Sequence, residues 1–584
     1  MPKLKKAQLK LFSAYTKYLL PYWKKETAVL FLSQAGVLLG IVNPYLAKLV
    51  IDKAFGNKDL KVFIILALIG GAVFVLNGLA DGIKNYLEKQ IKIKISFDLN
   101  KKIFKHFQKL DLAYFQDKST GEHLFRISHD IEKTSDFITT TLPQIISTFP
   151  KLLFILIIIL QLNWPMALFS VGLASTLYLP SYYFSRKMRE VWQNLVNQSE
   201  DIFKCLNEFF SHIRLAKTFA KEKTEVRDYL KKDINRIRTS MKNVRLEVIS
   251  GFSISALDKI IIGLITLYGG YQVIQGQMSL GSLTAIMLYI GQLMGLQYGF
   301  TGLFQNIALG LISCQRLEEI LSEKPKIIES NCAKNVIFNQ GKIIFKNVSF
   351  GYKENEPILS RISFDTAGAN YIGLIGPSGC GKSTILNLIL RLYDSWEGEI
   401  LIDGRNIKDL TFSSLRGQIG ITLQEPFLLN ATIEKNITYA VAKINREELM
   451  EVAKICGVDD FVKSLPDGYQ TIIGENACKL SEGQKQKIAI ARALIKKPKI
   501  LILDEAMSSM DSQSEERIIA YLKKIRQIST LIVVSHRLST IMDMDQVYFL
   551  HKPNQILLAS PEELLKTNQE FNELFAKQAQ DYLR

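Results

Sequence analysis

The sequence is poor in cysteine and shows no pattern among the few it has. Six are spread over 584 residues, at 205, 314, 332, 380, 456 and 478. None forms a C-x-x-C pair or a metal-ligand spacing, so neither a zinc module nor a disulfide framework is indicated. A cleavable export signal is also lacking. The chain starts Met1-Pro2-Lys3-Leu4-Lys5-Lys6, and its first apolar run comes late and is too long for a signal core. Acidic residues are in deficit: 56 Asp and Glu stand against 73 Lys and Arg, a net charge of +17 with a pI near 9.3. Such an excess suits nucleic acid or an anionic membrane surface. No nucleic-acid motif is present and long apolar runs are, so the membrane is the expected partner.

Hydrophobic content is an ordinary 48%, but it is concentrated in the first half. Six spans are expected there, over about 28–51, 62–79, 142–162, 166–183, 254–274 and 280–304. Each approaches the roughly 20 residues that a membrane-crossing helix needs. Three connections are short. Two, at about 84–140 and 185–250, are long, polar and rich in Lys and Arg. Positive charge marks the cytoplasmic side. The long segments and the N-terminus are therefore expected inside, with all six cysteines on the same side and reduced. Lys53, Lys58 and Lys61 in the first outward loop run against the rule, and the larger excess elsewhere outweighs them.

Leu99, Ile103, Phe107 and Leu110 recur at helical spacing, so the long segments are expected to continue the membrane helices. The stretch 114–122 reads as a turn, and 208–215 as a short contact helix. Prolines 44, 143, 150 and 180 lie in or beside spans, where neighbouring helices can satisfy the freed carbonyls. Asp258 and Lys259 fall inside the fifth span. Either they face a cavity or each other, or the bilayer begins a turn later and both sit at its surface.

The second half carries a phosphate-binding loop, Gly376-Pro377-Ser378-Gly379-Cys380-Gly381-Lys382-Ser383-Thr384. The glycines let backbone N–H groups converge on phosphate oxygens, Lys382 adds a charged donor and Ser383 can offer its hydroxyl to Mg²⁺. A strand over 371–375 should precede the loop and a helix starting at about Lys382 should follow. Ile500-Leu501-Ile502-Leu503-Asp504-Glu505 reads as a buried strand ending in two carboxylates. Asp504 can serve the Mg²⁺ shell, and Glu505 can orient or deprotonate an attacking water.

With these residues the chain resembles the ATP-binding cassette (ABC) family over nearly its whole length. Leu480-Ser481-Glu482-Gly483-Gln484 is similar to the family signature LSGGQ. The resemblance makes Tyr352 the aromatic that stacks on adenine, and Gln424 the residue that links Mg²⁺ and water to the membrane domain. It makes the 508–511 loop a contact to the opposite subunit and His536 the switch histidine at the γ-phosphate. Residues 119–122 and 208–220 resemble the family's intracellular coupling regions. The implied fold is an all-α polytopic membrane domain of six long helices over 1–323, a linker over 324–340, and an α/β P-loop NTPase cassette over 341–584.

The resemblance also implies a half-size exporter in the cytoplasmic membrane, using ATP and Mg²⁺ and working as a dimer. Ser481 and Gly483 of one subunit, with Gln484 opening the next helix, would close on the γ-phosphate held by the partner subunit's Lys382. Membrane lipids and a small amphipathic, lipid or peptide substrate are the expected partners, and nucleic acid is not. Glu482 departs from the signature glycine, and Met507 and Met510 replace a common Thr and Leu. An altered signature also occurs in asymmetric heterodimers. Lys382, Asp504, Glu505 and His536 are all present, so a homodimer is favoured. No peptidase domain precedes the spans, which speaks against a leader-cleaving peptide exporter. Tyr178, Tyr182, Tyr183, Phe300 and Phe304 are candidates for contact with an amphipathic cargo. A gated channel that binds ATP without pumping is the alternative; intact Glu505 and His536 argue against it.

Overall fold

The structure is a computed structural model. It describes residues 15–582 apart from 118–119, 367–370, 475–476, 478, 508, 527, 536 and 553–554. Ser119, Cys478, Ser508 and His536 therefore lie outside the described residues, as do the side chains of Phe300 and Phe304. The chain divides into two compact units, Met1–Lys324 and Pro325–Arg584.

The first unit is helical. Its main elements are α1 (Trp23–Leu49), α2 (Leu60–Phe107), α3 (Thr120–Leu162), α4 (Trp164–Ser175), α5 (Tyr178–Ser211), α6 (Glu222–Ile274) and α7 (Leu280–Ser322). At 1.5 Å per residue the 48 residues of α2 run about 72 Å, over twice the ~30 Å hydrocarbon thickness. The polar segments after 84 and up to 250 thus continue the membrane helices, as their periodicity implied. Leu99 and Ile103 are fully buried on one side of α2. Elsewhere the surface is apolar: Phe31, Leu68, Phe74, Leu267 and Ile274 are among many large side chains left exposed. That arrangement suits a lipid solvent, in which apolar surface carries no cost.

Four helices among the described residues are long and apolar enough to cross a membrane: Lys17–Phe55, Leu60–Phe107, Thr120–Leu162 and Glu222–Ile274. The sixth expected span contains a shorter apolar helix, Leu280–Leu296. The fourth is interrupted at Thr176–Leu177, between α4 and α5. Pro180 explains the position of the break. It cannot donate to the Thr176 carbonyl, its ring crowds that carbonyl, and it biases the residue before it away from helix. Ser175 and Thr176 add to this by turning their hydroxyls onto the Val171 and Leu173 carbonyls.

Polar groups lock the helices together. Asp52 accepts the Ser279 hydroxyl at 2.7 Å and the Gly281 N–H at 2.9 Å, fastening α7 to the end of α1. A Cβ on residue 281 would fall 2.5 Å from Asp52 Oδ1, so only glycine admits that contact. Asn163 donates to Gln272, which donates to the Tyr268 hydroxyl. Toward the other end, Glu122 takes Arg126 at 2.9 Å and Lys204 at 3.4 Å, and Glu200 takes Lys204 at 3.0 Å and Arg316 at 3.1 Å. This network joins α3, α5 and α7. The expected turn at 114–122 contains a short helix, Leu112–Asp117, whose Tyr114 and Phe115 pack with Phe107 and His123. The contact helix expected over 208–215 is not a separate element. Its first residues complete α5, the chain bends at His212, and a new helix covers Ile213–Thr218.

The second unit is α/β. A four-stranded sheet has the order β2-β1-β4-β5, and a six-stranded sheet the order β10-β9-β3-β8-β7-β6. Their ranges are β1 Ile343–Phe350, β2 Leu359–Asp365, β3 Tyr371–Ile375, β4 Glu397–Ile402, β5 Arg405–Asn406, β6 Ile419–Thr422, β7 Ile500–Asp504, β8 Thr530–Val534, β9 Gln546–Lys552 and β10 Gln555–Ala559. Strands β9, β3, β8, β7 and β6 run parallel, and β3, β7 and β8 are buried throughout. The segment expected as a linker is tied down: Val336 and Phe338 donate to Ser414 and Gln418, and the N–H groups of 339–342 converge on the Asp403 carboxylate.

Candidate nucleotide site

The site is built on the carboxyl ends of the parallel strands, where ligands of open α/β sheets sit. Strand β3 runs directly into the glycine loop, and α8 (Lys382–Ile389) starts at its end. Gly376, Gly379 and Gly381 take φ of +156°, +82° and +102°, a region closed to most side chains. Among the described residues no side chain caps α8, which leaves its first N–H groups to hold an anion. Lys382 donates to the Gly376 and Pro377 carbonyls at 2.7 and 2.9 Å, which folds its ammonium back over the loop. Ser378 and Ser383 are exposed, Cys380 is half-buried, and Thr384 is buried with its hydroxyl 3.3 Å from that of Tyr352. Asn387 donates to the same tyrosine hydroxyl at 3.2 Å. Tyr352 packs edge-on against Phe350 and Tyr393, yet it stays 46% exposed, enough to offer its ring to a base.

The register brings the second group of residues to the same edge of the sheet. Across β8, Gly373 and Leu503 both pair with Val533, and Asp504 pairs with Val534. Asp504 is thus level with the last residues of β3 and is buried. Glu505 follows it with φ of +49°, rare for a side-chain-bearing residue and of a kind that collects at active sites. Its N–H is tied to the Val534 carbonyl at 3.0 Å. Its carboxylate accepts the Gln424 amide at 3.0 Å, across 81 residues of sequence. Gln424 is therefore delivered to Glu505 by the loop after β6. A cavity of about 50 Å³, enough for a water, lies beside Glu505, Ser535 and Arg537.

The signature segment starts a second helix, α9 (Glu482–Leu494). Ser481 is its N-cap: its hydroxyl oxygen accepts the Gln484 N–H, and the Gln484 side chain accepts the Ser481 N–H in return. The Gln484 amide is thus engaged in holding the helix start. Glu482 points away, exposed and paired with Lys485 at 2.9 Å. An acid in the first turn also suits the helix dipole, which explains how this position tolerates the departure from glycine. At Gly483 a Cβ would come 2.6 Å from the Ser509 carbonyl. Backbone and Gln486, which accepts the Ser509 N–H, bind the signature to the 507–511 loop. Met507 and Met510 are buried core residues there.

Asp511 closes the loop. It caps α10 (Ser512–Ile525) by accepting the Ser514 N–H at 2.9 Å, and it pairs with Lys487 at 2.5 Å. The hydrogen bond from Lys487 is the main reason its carboxyl sits well below the usual carboxylate range. Asp511→Ala is expected to lower the unfolding free energy of this unit by about 1 kcal/mol, the worth of an N-cap. Because the folded-state pKa is depressed, the stabilisation is present above about pH 4 and drains away as pH falls further. Chemical denaturation at pH 7 and pH 3 measures both.

Two further residues hold the Gln424 loop, and the motifs gave no sign of them. Asn436 is fully buried, accepting from Leu429 N–H and donating to the Leu429 and Thr432 carbonyls. Arg492 of α9 reaches the Asn436 carbonyl and side chain and the Phe427 carbonyl.

Glycine loop, carboxylate pair and capped signature helix on one parallel sheet define an ATP-binding module, and the same chain carries membrane-crossing helices. That combination is the class of ATP-driven membrane transporters. Comparison with known proteins agrees. Residues 27–297 match the family model described as ABC transporter transmembrane region, and 359–508 the one described as ABC transporter. An ATP-dependent lipid A-core flippase of Desulfotalea psychrophila is 32% identical over 542 residues, covering 91% of this chain and 93% of that protein. A Staphylococcus aureus protein named for multidrug export, an ATP-binding/permease protein, is 31% identical over 576 residues, 97% of this chain and all of that one. The structure of a bacterial Atm1-family ABC exporter with ATP bound superposes with a TM-score of 0.86 at 26% identity, over 95% of this chain and 99% of that one. The chain belongs to the ABC transporter family and is organised as a half-size exporter.

Proposed function

We propose that two copies of the chain form an exporter of the cytoplasmic membrane that hydrolyses ATP to move an amphipathic substrate outward. The observation that carries this reading is the Gln424–Glu505 pair at the edge of the sheet that bears the glycine loop. A water held against Glu505 is placed for deprotonation and attack on a γ-phosphate cradled by 376–384. Mg²⁺ would be held by Ser383, Gln424 and Asp504, hard oxygen donors suited to it, and would offset charge developing on the phosphates.

Tyr352 stacks on the adenine. Ser481 and the Gly483 N–H of the partner copy complete the phosphate shell, as the start of α9 favours an anion. His536 contacts the γ-phosphate. ATP then joins the two cassettes, and phosphate loss releases them, each state selecting one opening of the membrane helices. The two copies are identical, since every chemical group the cycle needs stands in this one sequence.

Proteoliposomes loaded with a fluorescent lipid or drug-like amphiphile test the reading. Movement across the bilayer should require ATP, stop with a non-hydrolysable analogue, and occur with this chain alone. Movement that persists with the analogue would instead make it an ATP-gated channel.

A further inference from the structure

We infer that Asp258 recognises the cationic group of the substrate, which is then an organic cation with an aromatic or apolar body. This deepens the amphiphile-exporter reading and rests on it.

Asp258 lies on α6, sixteen residues from its outer end at Ile274, or about 24 Å at 1.5 Å per residue. That depth is within a ~30 Å hydrocarbon layer. Its side chain belongs to the stripe of Ile254, Ile261 and Ile265 that packs into the bundle, and only 8% of the residue is exposed. Oδ1 is fully buried and has no hydrogen-bond partner among the described residues. Lys259 is exposed and so faces elsewhere, and among the described residues no ion pair reaches Asp258. The two residues left open between cavity and surface are thus separated. Asp258 is inside, and it is not neutralised by its neighbour. An unpaired carboxylate at such a site is costly, and a proton or a cation from outside the chain must offset it.

Two features at the same level favour a ligand. Phe169 of α4 meets Tyr268 of α6 with ring centroids 4.9 Å apart, and Asn163 meets Gln272, so the helices run antiparallel. Ten residues further along each from the ring contact, Asp258 is about level with Leu179. The interruption at Thr176–Leu177 lies there, and non-helical backbone at membrane depth is tolerated where it is buried in protein or lines a cavity. Tyr178 and Tyr182 stack at 6.1 Å and 17° on the same stretch, each more than half exposed. The next residue, Tyr183, already carries an ammonium, Lys187 Nζ, 4.5 Å from its ring centroid. A buried carboxylate and tyrosine faces at about the same level of the next helix supply the two kinds of group that recognise an organic cation.

The full chain in lipid nanodiscs provides the test. Equilibrium binding and ATPase stimulation are measured with tetraphenylphosphonium and with triphenylphosphine oxide, an uncharged analogue of similar shape. The wild type should bind the cation at least about tenfold more tightly than the oxide. Asp258→Asn should remove that preference while leaving oxide affinity and melting temperature unchanged, and Asp258→Glu should restore it. An Asp258→Asn variant that keeps the wild-type preference overturns the inference, and so does a wild type that binds both probes equally. A wild type that hydrolyses ATP but neither binds nor responds to either probe overturns the amphiphile reading as well.

Discussion

Glu505→Gln is expected to reduce ATP turnover by about 10²–10⁴-fold, the usual worth of a general base, while leaving ATP binding intact. Glutamine keeps the volume and can still accept the Gln424 amide through its own carbonyl, so the loops around it stay in place. What it loses is basicity, and with it the means to take the proton from water. Phosphate release and nucleotide binding, measured side by side, separate the two effects. Size-exclusion chromatography with ATP should show the variant accumulating as a dimer, because the step that reverses closure is blocked. Undiminished phosphate release would remove Glu505 from its assigned role. The positive φ at this position adds a second expectation. Such a conformation costs on the order of 1–3 kcal/mol and survives because the fold imposes it. Glu505→Gly should therefore abolish turnover equally without destabilising the unit.

Asn436→Ala is expected to cost about 3 kcal/mol in unfolding free energy. It removes one side chain that satisfies the Leu429 N–H and two carbonyls, and it strands a guanidinium hydrogen of Arg492. Each buried polar group left unmade costs about 1–3 kcal/mol. Asn436 is fully buried, so water cannot readily replace it. The loss should extend to chemistry, since Asn436 and Arg492 fasten the chain that follows Gln424. Melting temperature reports the first effect, and turnover at a temperature where the variant remains folded reports the second. A melting curve coincident with the wild type would show that the network contributes nothing.

Much of the protein is legible from local sequence. Glycines 376, 379 and 381 need backbone angles that only glycine adopts cheaply, so their spacing dictates a loop, and the strand and helix follow from apolar runs on either side. Apolar length marks the membrane helices in the same way, because lipid leaves the backbone no partner but itself. Local rules fail where partners are distant. The pairing of Gln424 with Glu505 spans 81 residues, and that of Asn436 with Arg492 spans 56. The tolerance of Glu482 depends on where the start of α9 points its side chain. The interruption of the fourth span combines a local cause, Pro180, with neighbours that determine whether the freed carbonyls are tolerated.

The amino-acid order alone therefore establishes an ATP-binding module attached to membrane helices, since each part is specified by short-range sterics and by hydrophobic length. That the Glu505 carboxylate meets the Gln424 amide, and that Asp258 is buried with Oδ1 unpartnered among the described residues while Lys259 is exposed, emerge only when distant segments pack. Burial and pairing are properties of neighbours in space, and a sequence lists neighbours along the chain.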